Sequence, residues 1–427
     1  MLVSPGRMLT KQAAWPLSQA ALIHDLTRGS LSGARGSGIA HTRGTAANYL
    51  DASAVQQSAA TNEAIFEYDA NGVPLGFRME GSGENLVLHS QDASNWTPVN
   101  SPTVTTNSTV APDGTTTADT IDDENGAGNA HIARNVTVAD DSVTRVYYCM
   151  VLKTSGDSHY SSLSLSYAGG TTKTAYIVVN SNTGAISATS GTIEDSGVLD
   201  YGNYWIFWYA VANNNLGNTT LTLRFYPAVN TDGGAAFAAA TTGSKVWWGA
   251  NVEVGDFPTS YLATTTGTTT RDPDVAAFSN INFITDPTVF TMFVWGRTYG
   301  SAVTQRILHI SDGAASAAEA HILDIITTGE FRYQQNSGGA TKFQIDGGTV
   351  AERERFCLAF RCKSGDNGLW VNGTKINSDA NADLPESLTA GLLGRNHVGT
   401  SRLYGHLDRI ECYGDMSDAN IVAHGNV

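Results

Sequence analysis

The chain has 427 residues, 44 of them glycine, and a formal charge of −15 from 25 Lys and Arg against 40 Asp and Glu. This length exceeds the usual single-domain range, and short apolar runs separated by Gly, Thr, Ser and Asn point to strands joined by many turns. The acidic balance argues against a nucleic-acid partner, which needs clustered Lys and Arg, and no apolar run is long enough for membrane insertion.

In chain order, residues 1–84 read as an irregular lead-in. Pro5, Lys11, Gln12 and Pro16 interrupt any signal-peptide core, so export by that route is not expected. Residues 17–26 suit two or three helical turns, and 29–38 form a Gly/Ser/Arg connector. Asn71-Gly72 is a hairpin turn between the runs 62–69 and 74–80. Residues 85–264 read as a first sandwich, with strands predicted at 144–153, 161–167, 174–179, 204–211 and 220–226. The run Val146 to Leu152 is apolar or aromatic throughout, as in a strand buried on both faces. Residues 265–278, with Gly267, Arg271 and Pro273, read as a linker.

Residues 279–427 read as a second sandwich. Its signals are the strand around Phe290 to Arg297, the strand around Phe356 to Phe360, and a hairpin with Asn372-Gly373 at its tip. The fold class expected is therefore all-β: two antiparallel jelly-roll-type sandwiches after an irregular N-terminal region. Cys357 and Cys362, five positions apart on one strand, point to opposite faces. A bridge between these two is therefore not expected; Cys412 could reach either of them in a sandwich, and buried free thiols are the reading favoured for all four, Cys149 included, in a reducing cytoplasm.

Two sets of residues suggest binding. Tyr204, Trp205 and Trp208 crowd one strand and Trp247-Trp248 another, while Trp370 lies beside the Asn-Gly hairpin. Adjacent strand residues face opposite ways, so one of each pair enters the core and the other faces outward, where a flat ring can stack on a sugar. The alternative is that all of them fill the core. The second set is acidic: Asp119, Asp122 and Asp123 in one loop region, and Asp312 with Asp408 in the second sandwich. Oxygen ligands at this density suit calcium, and a solvated acidic loop is the alternative. No His-Glu-x-x-His, Gly-x-Ser-x-Gly or Gly-x-x-x-x-Gly-Lys pattern occurs, so catalysis is not expected.

Three stretches carry a resemblance: Glu84-Asn85-Leu86-Val87 through Asn95-Trp96, Ala111-Pro112-Asp113-Gly114, and Trp247-Trp248-Gly249-Ala250-Asn251-Val252-Glu253 through Tyr261. Together with Thr42-Arg43 and Tyr68-Asp69 upstream, they resemble a carbohydrate-binding-module-like β-sandwich of bacteriophage tail-fibre and other virion-appendage proteins. Trp370-Val371-Asn372-Gly373 and Leu407-Asp408-Arg409-Ile410-Glu411 resemble concanavalin-A-like (laminin-G-like) lectin domains, with Arg409 where a second acidic residue is usual.

The resemblance implies a virion structural protein, a tail fibre or head spike, assembled in a bacterial host and adhering to host surface polysaccharide. It implies a homotrimer joined to other virion proteins through residues 1–84. The alternatives are a purely architectural decoration protein and a glycan hydrolase or lyase.

Overall fold

The computed structural model describes residues 19–153, 160–230, 241–300, 303–314 and 318–426. The chain is all-β, with antiparallel sheets forming two sandwiches; among the described residues the one α-helix is Asp418–Gly425.

The first sandwich pairs two six-stranded sheets. The proximal sheet, on the side of the second sandwich, runs Asp195–Tyr201, Tyr204–Ala212, Thr144–Leu152, Gly243–Val254, Ala118–Asp123 and Thr103–Thr109. The distal sheet runs Ala185–Ser190, Lys173–Asn180, Tyr160–Ala168, Thr220–Val229, His131–Thr137 and Thr97–Val99. Side chains alternate across each strand. Tyr147, Cys149, Phe207, Tyr209 and Trp247 therefore meet Leu163, Leu165, Leu223 and Phe225 in the core between the sheets. The opposite face of the proximal sheet carries Val146, Tyr148, Met150, Ile206 and Trp208, and these too are buried. Thr144–Leu152 is buried on both faces, as its apolar run requires.

The second sandwich recruits the N-terminal part of the chain. Its eight-stranded sheet runs Thr374–Asp379, Asn367–Val371, Phe356–Lys363, Val289–Thr298, Gly405–Tyr413, Pro74–Met79 and Phe66–Tyr68, with Leu22–Asp25 also paired to Gly405–Tyr413. The seven-stranded sheet runs Ile39–Thr42, Val275–Phe278, Ala390–Leu393, Gln305–Ser311, Ala320–Ile325, Glu330–Ser337 and Ala340–Thr349. Leu22, Ile39, Phe77 and Met79 enter the same core as Phe290, Leu358 and Ile410.

Leu22–Asp25, Ile39–Thr42, Phe66–Tyr68 and Pro74–Met79 are thus strands of this sandwich, Ala47–Leu50 and Gln56–Ala59 pair in a two-stranded sheet of their own, and residues 1–18 lie outside the described ones. The helical turns expected over 17–26 give way to the strand Leu22–Asp25 and a single 3-10 turn, Leu26–Arg28. The reason is tertiary: Leu22 to Asp25 find open backbone partners in Arg409 to Cys412.

Turn chemistry follows the sequence closely. Asn372 and Gly373 both take positive φ, 48° and 75°, as a two-residue type I′ hairpin demands, and Val371 pairs directly with Thr374. The segment expected as a linker is ordered by pairing: Thr269–Arg271 joins Gly83–Asn85, and Val275–Phe278 enters the seven-stranded sheet. All four cysteines are buried and free, with Cys362 in the sandwich core and Cys357 on the opposite face near the helix.

Candidate functional site

An open cleft of about 340 Å³ lies where the two sandwiches and the N-terminal segment meet. Three local features shape its walls. The hairpin between Phe66–Tyr68 and Pro74–Met79 supplies Tyr68, Asp69 and Asn71. Its tip is fixed by the Asp69 carboxylate, which accepts from the Asn71 and Val73 amides at 2.8 and 2.9 Å. The edge strand Asp195–Tyr201 supplies Leu199, Asp200 and Tyr201, and the Tyr201 hydroxyl donates to Gln56 at 3.2 Å. Across from them Phe257 stacks on Tyr299 with centroids 4.9 Å apart and planes 6° from parallel, so one ring from each sandwich packs on the other across the boundary.

Arg353 crosses the same boundary. It sits at φ 67°, a strained setting for a residue with a side chain, and donates to the Val198 carbonyl at 3.1 Å. Its guanidinium lies 5.0 Å from the Phe257 ring centroid and 5.6 Å from that of Trp208. Burial lowers its pKa from the usual value, with Tyr299 and acidic neighbours acting the other way.

The cleft floor is ionic and buried. Arg78 donates to Glu67 and to Glu80, each at 2.7 Å, and Glu80 also meets Arg271 at 3.0 Å and the Ser260 amide at 2.9 Å. Desolvation pushes both carboxyls upward, but the guanidiniums outweigh it. Glu67 falls below its ordinary range through Arg78 and His406, and Glu80 falls to about 2 through Arg271 and Arg78. Behind them the Asp274 carboxylate accepts from Arg43 and His41 at 3.0 and 2.9 Å, and from the Glu80 amide.

Glu253 lies deeper, accepting from the Thr259 amide and hydroxyl. Burial dominates there, and its carboxyl is raised to about 7 despite Arg271. Three carboxylates, Glu67, Glu80 and Asp274, already balance Arg43, Arg78 and Arg271, so Glu253 is the surplus acid.

The aromatic residues picked out from the sequence stand elsewhere. Alternation places Trp205 and Trp247 on the core side and Tyr204, Trp208 and Trp248 on the opposite face. That opposite face is covered by the segment carrying Phe257 and Tyr261, by Ala111 and by Arg353. Tyr204, Trp208, Trp247, Trp248 and Trp370 are all at most 1 % exposed and present no ring face to solvent. Trp370 lies under Arg361 and Lys375 on the helix-covered face. Trp205 is half-buried: its Nε1 donates to the Ser181 carbonyl at 2.9 Å, Lys153 Nζ sits 3.9 Å from its ring centroid, and Gly184 packs against it. The residues that do line the cleft (Tyr68, Tyr201, Phe257 and Tyr299) come from four distant parts of the chain. None of these is among the aromatic residues singled out in the sequence, although Tyr201 lies three positions before Tyr204.

The acidic candidates have structural partners. Asp119 accepts from the Ala93 and Asn107 amides at 2.7 and 2.8 Å, and Asp123 from those of Ala130 and Asn125 at 2.7 and 2.9 Å. Asp122 is half-buried beside them. Asp312 accepts from the Ala314 amide, whereas Asp408, on the other sheet, pairs with Arg355 at 2.6 Å. Among the described residues no group of three or more His, Cys, Asp or Glu is arranged to hold a metal ion.

No protein-family model matches the chain, and no curated protein matches it. Several solved structures are similar over part of it. The CBM40 module of the Ruminococcus gnavus IT-sialidase, solved with α2,3-sialyllactose, aligns over 34% of this chain and 86% of its own, at 17% identity and a TM-score of 0.31. Domain 4 of AbnA, a GH43 extracellular arabinanase from Geobacillus stearothermophilus, was solved with arabinotriose. It covers 40% of this chain and 82% of its own, at 13% identity and a TM-score of 0.30. A leech intramolecular trans-sialidase aligns over 34% of this chain and 24% of its own, at 16% identity and a TM-score of 0.31. Likeness at this level carries no argument about ligand or activity.

Proposed function

We propose that the protein is a non-catalytic glycan-binding adhesin that takes oligosaccharide into the cleft between its sandwiches. The observation that supports this most is the chemistry of the cleft walls. Tyr68, Tyr201 and the stacked Phe257 and Tyr299 rings share one opening with Asp69, Asn71, Asp200 and Arg353. A sugar ring offers apolar C–H faces to such rings and hydroxyls to carboxylate, amide and guanidinium groups. The volume falls within the range of about 300–1,000 Å³ usual for small-ligand sites.

Binding rather than hydrolysis is favoured by the floor. Cleavage of a glycosidic bond needs a carboxyl that holds a proton near neutral pH, opposite a second carboxylate. Glu67 and Glu80 are both kept ionised by arginine, and Glu253, the carboxyl raised to about 7, does not line the cleft. The setting proposed, a phage tail fibre or head spike displayed as a homotrimer, rests on the sequence resemblance. It suits weak sites: a millimolar sugar contact, about −4 kcal/mol, gains avidity when several copies engage one cell.

A second reading, an architectural decoration protein, is favoured by the burial of five of the six aromatic candidates and by the ionic junction that joins the sandwiches. A glycan array and host-cell binding assay with the full chain separates the two. The adhesin reading expects a defined set of glycans bound, and Tyr68→Ala with Tyr201→Ala to abolish capture while the circular dichroism spectrum is kept. Absence of binding to every glycan and cell, even as an engineered trimer, supports the architectural role.

A further inference from the structure

The geometry points to a second ligand site, for an anionic sugar unit, on the outer face of the distal sheet. It goes beyond the cleft and does not depend on it, because it lies on the opposite side of the first sandwich. Register defines the face. Thr97 lies opposite Ala133, Ala133 opposite Arg224, and Arg224 opposite Ser164, so these four form one row across four strands. Their neighbours Leu163, Leu165, Leu223 and Phe225 point the other way, into the core. Small side chains thus floor an open depression of about 640 Å³ from which Arg224 rises.

One guanidinium rises from this face: Arg224 donates to Ser166 Oγ at 3.1 Å. Arg134, opposite Leu223 in the register, springs from the core-side face of its strand and donates to the Asn95 carbonyl at 2.9 Å. Among the described residues Arg224 pairs with no acid, whereas Arg43, Arg78, Arg145, Arg271 and Arg361 all do. None of the residues lining the depression is Asp or Glu, in a chain where acids outnumber bases 40 to 25.

At one end His131 lies against Tyr226, with ring centroids 4.2 Å apart and planes 32° from parallel. Burial, only partly offset by a backbone hydrogen bond, lowers the His131 pKa to about 4, so at neutral pH it adds no second cation to this face. A guanidinium fork without an acid partner, on an open face floored by small side chains, fits the carboxylate or sulfate of an anionic sugar.

The test titrates the full chain with sodium D-glucuronate, D-glucose 6-sulfate and D-glucose at equal ionic strength, followed by NMR line shifts. One or both acidic sugars are expected to bind, the responding one naming the anion, with glucose at least tenfold weaker. Arg224→Ala should lower that affinity tenfold or more, and Tyr201→Ala in the cleft should leave it unchanged. Should Arg224→Ala fail to fold, Arg224→Gln removes the charge while keeping a donor for Ser166. Equal binding of all three sugars, no response to either Arg224 variant, or loss of binding in Tyr201→Ala would each overturn the assignment.

Discussion

Nη1 of Arg271 lies 3.0 Å from Oε2 of Glu80, with the two side chains 0% and 9% exposed. One residue precedes the first sandwich in sequence and the other follows it, so the pair closes the base of that sandwich against the second. Ser260 and Gly81 complete the contact: Arg271 donates to the Ser260 hydroxyl and to the Gly81 carbonyl, the latter at 2.7 Å. Removing one partner of such a buried pair leaves an uncompensated charge. Arg271→Ala is therefore expected to cost about 3–5 kcal/mol and to split one denaturation transition into two. Urea unfolding followed by tryptophan fluorescence reads both effects.

The surplus acid at this junction gives a pH dependence of known sign. The Glu253 carboxyl is raised from an ordinary 4.5 to about 7 in the folded protein. The folded state therefore binds the extra proton between those values. The stability this contributes is full below about pH 4.5 and is lost as pH rises through about 7, by up to about 3 kcal/mol. His131, His309 and His321, held neutral by burial with pKa values of about 4, 3 and 3, act in the opposite sense as pH falls below about 6.5. The informative quantity is thus the difference from Glu253→Gln. That variant is expected to gain stability relative to wild type between pH 5 and 8, measured by urea midpoints at each pH.

The second sandwich cannot be isolated by cutting at residue 279. Gly405–Tyr413 would lose Leu22–Asp25 and Pro74–Met79 as neighbours, and Val275–Phe278 would be missing beside Ala390–Leu393. Open edges and an uncovered core favour aggregation. A 279–427 fragment is expected in the insoluble fraction, whereas a chain that joins residues 19–82 to 265–427 is expected to be soluble with a β-sheet spectrum.

Trp248 serves packing. It is fully buried against Tyr261, with ring centroids 4.9 Å apart, and its indole N–H donates to Thr117. Trp248→Ala is expected to destabilise by about 3–5 kcal/mol, and half-buried Trp205→Ala by clearly less. Chemical denaturation of the two variants checks the order.

Much of the architecture was legible in the sequence because its causes are local. Alternation assigned Trp247 and Trp248 to opposite faces, Asn372-Gly373 marked its hairpin, and the predicted strands at 161–167, 174–179, 204–211 and 220–226 differ from the observed ones by at most three residues at an end. What escaped has non-local causes. The strand Leu22–Asp25 is four residues long and pairs with residues nearly four hundred positions away, so no nearby pattern announces it. Period-two reasoning says which way Trp208 and Trp248 point, but not that the Phe257 segment and Arg353 cover that side. The cleft escaped for the same reason, since Tyr68, Tyr201, Phe257 and Tyr299 are scattered and each reads alone as an ordinary strand or loop aromatic.

The most direct measurement is a crystal structure of the full chain soaked with the best-bound oligosaccharide from a glycan array. The account predicts sugar density between Tyr68, Tyr201 and the stacked Phe257/Tyr299 pair, with hydroxyls near Asp69, Asp200 or Arg353. An empty cleft, with the sugar bound solely on another surface at saturating concentration, would contradict it.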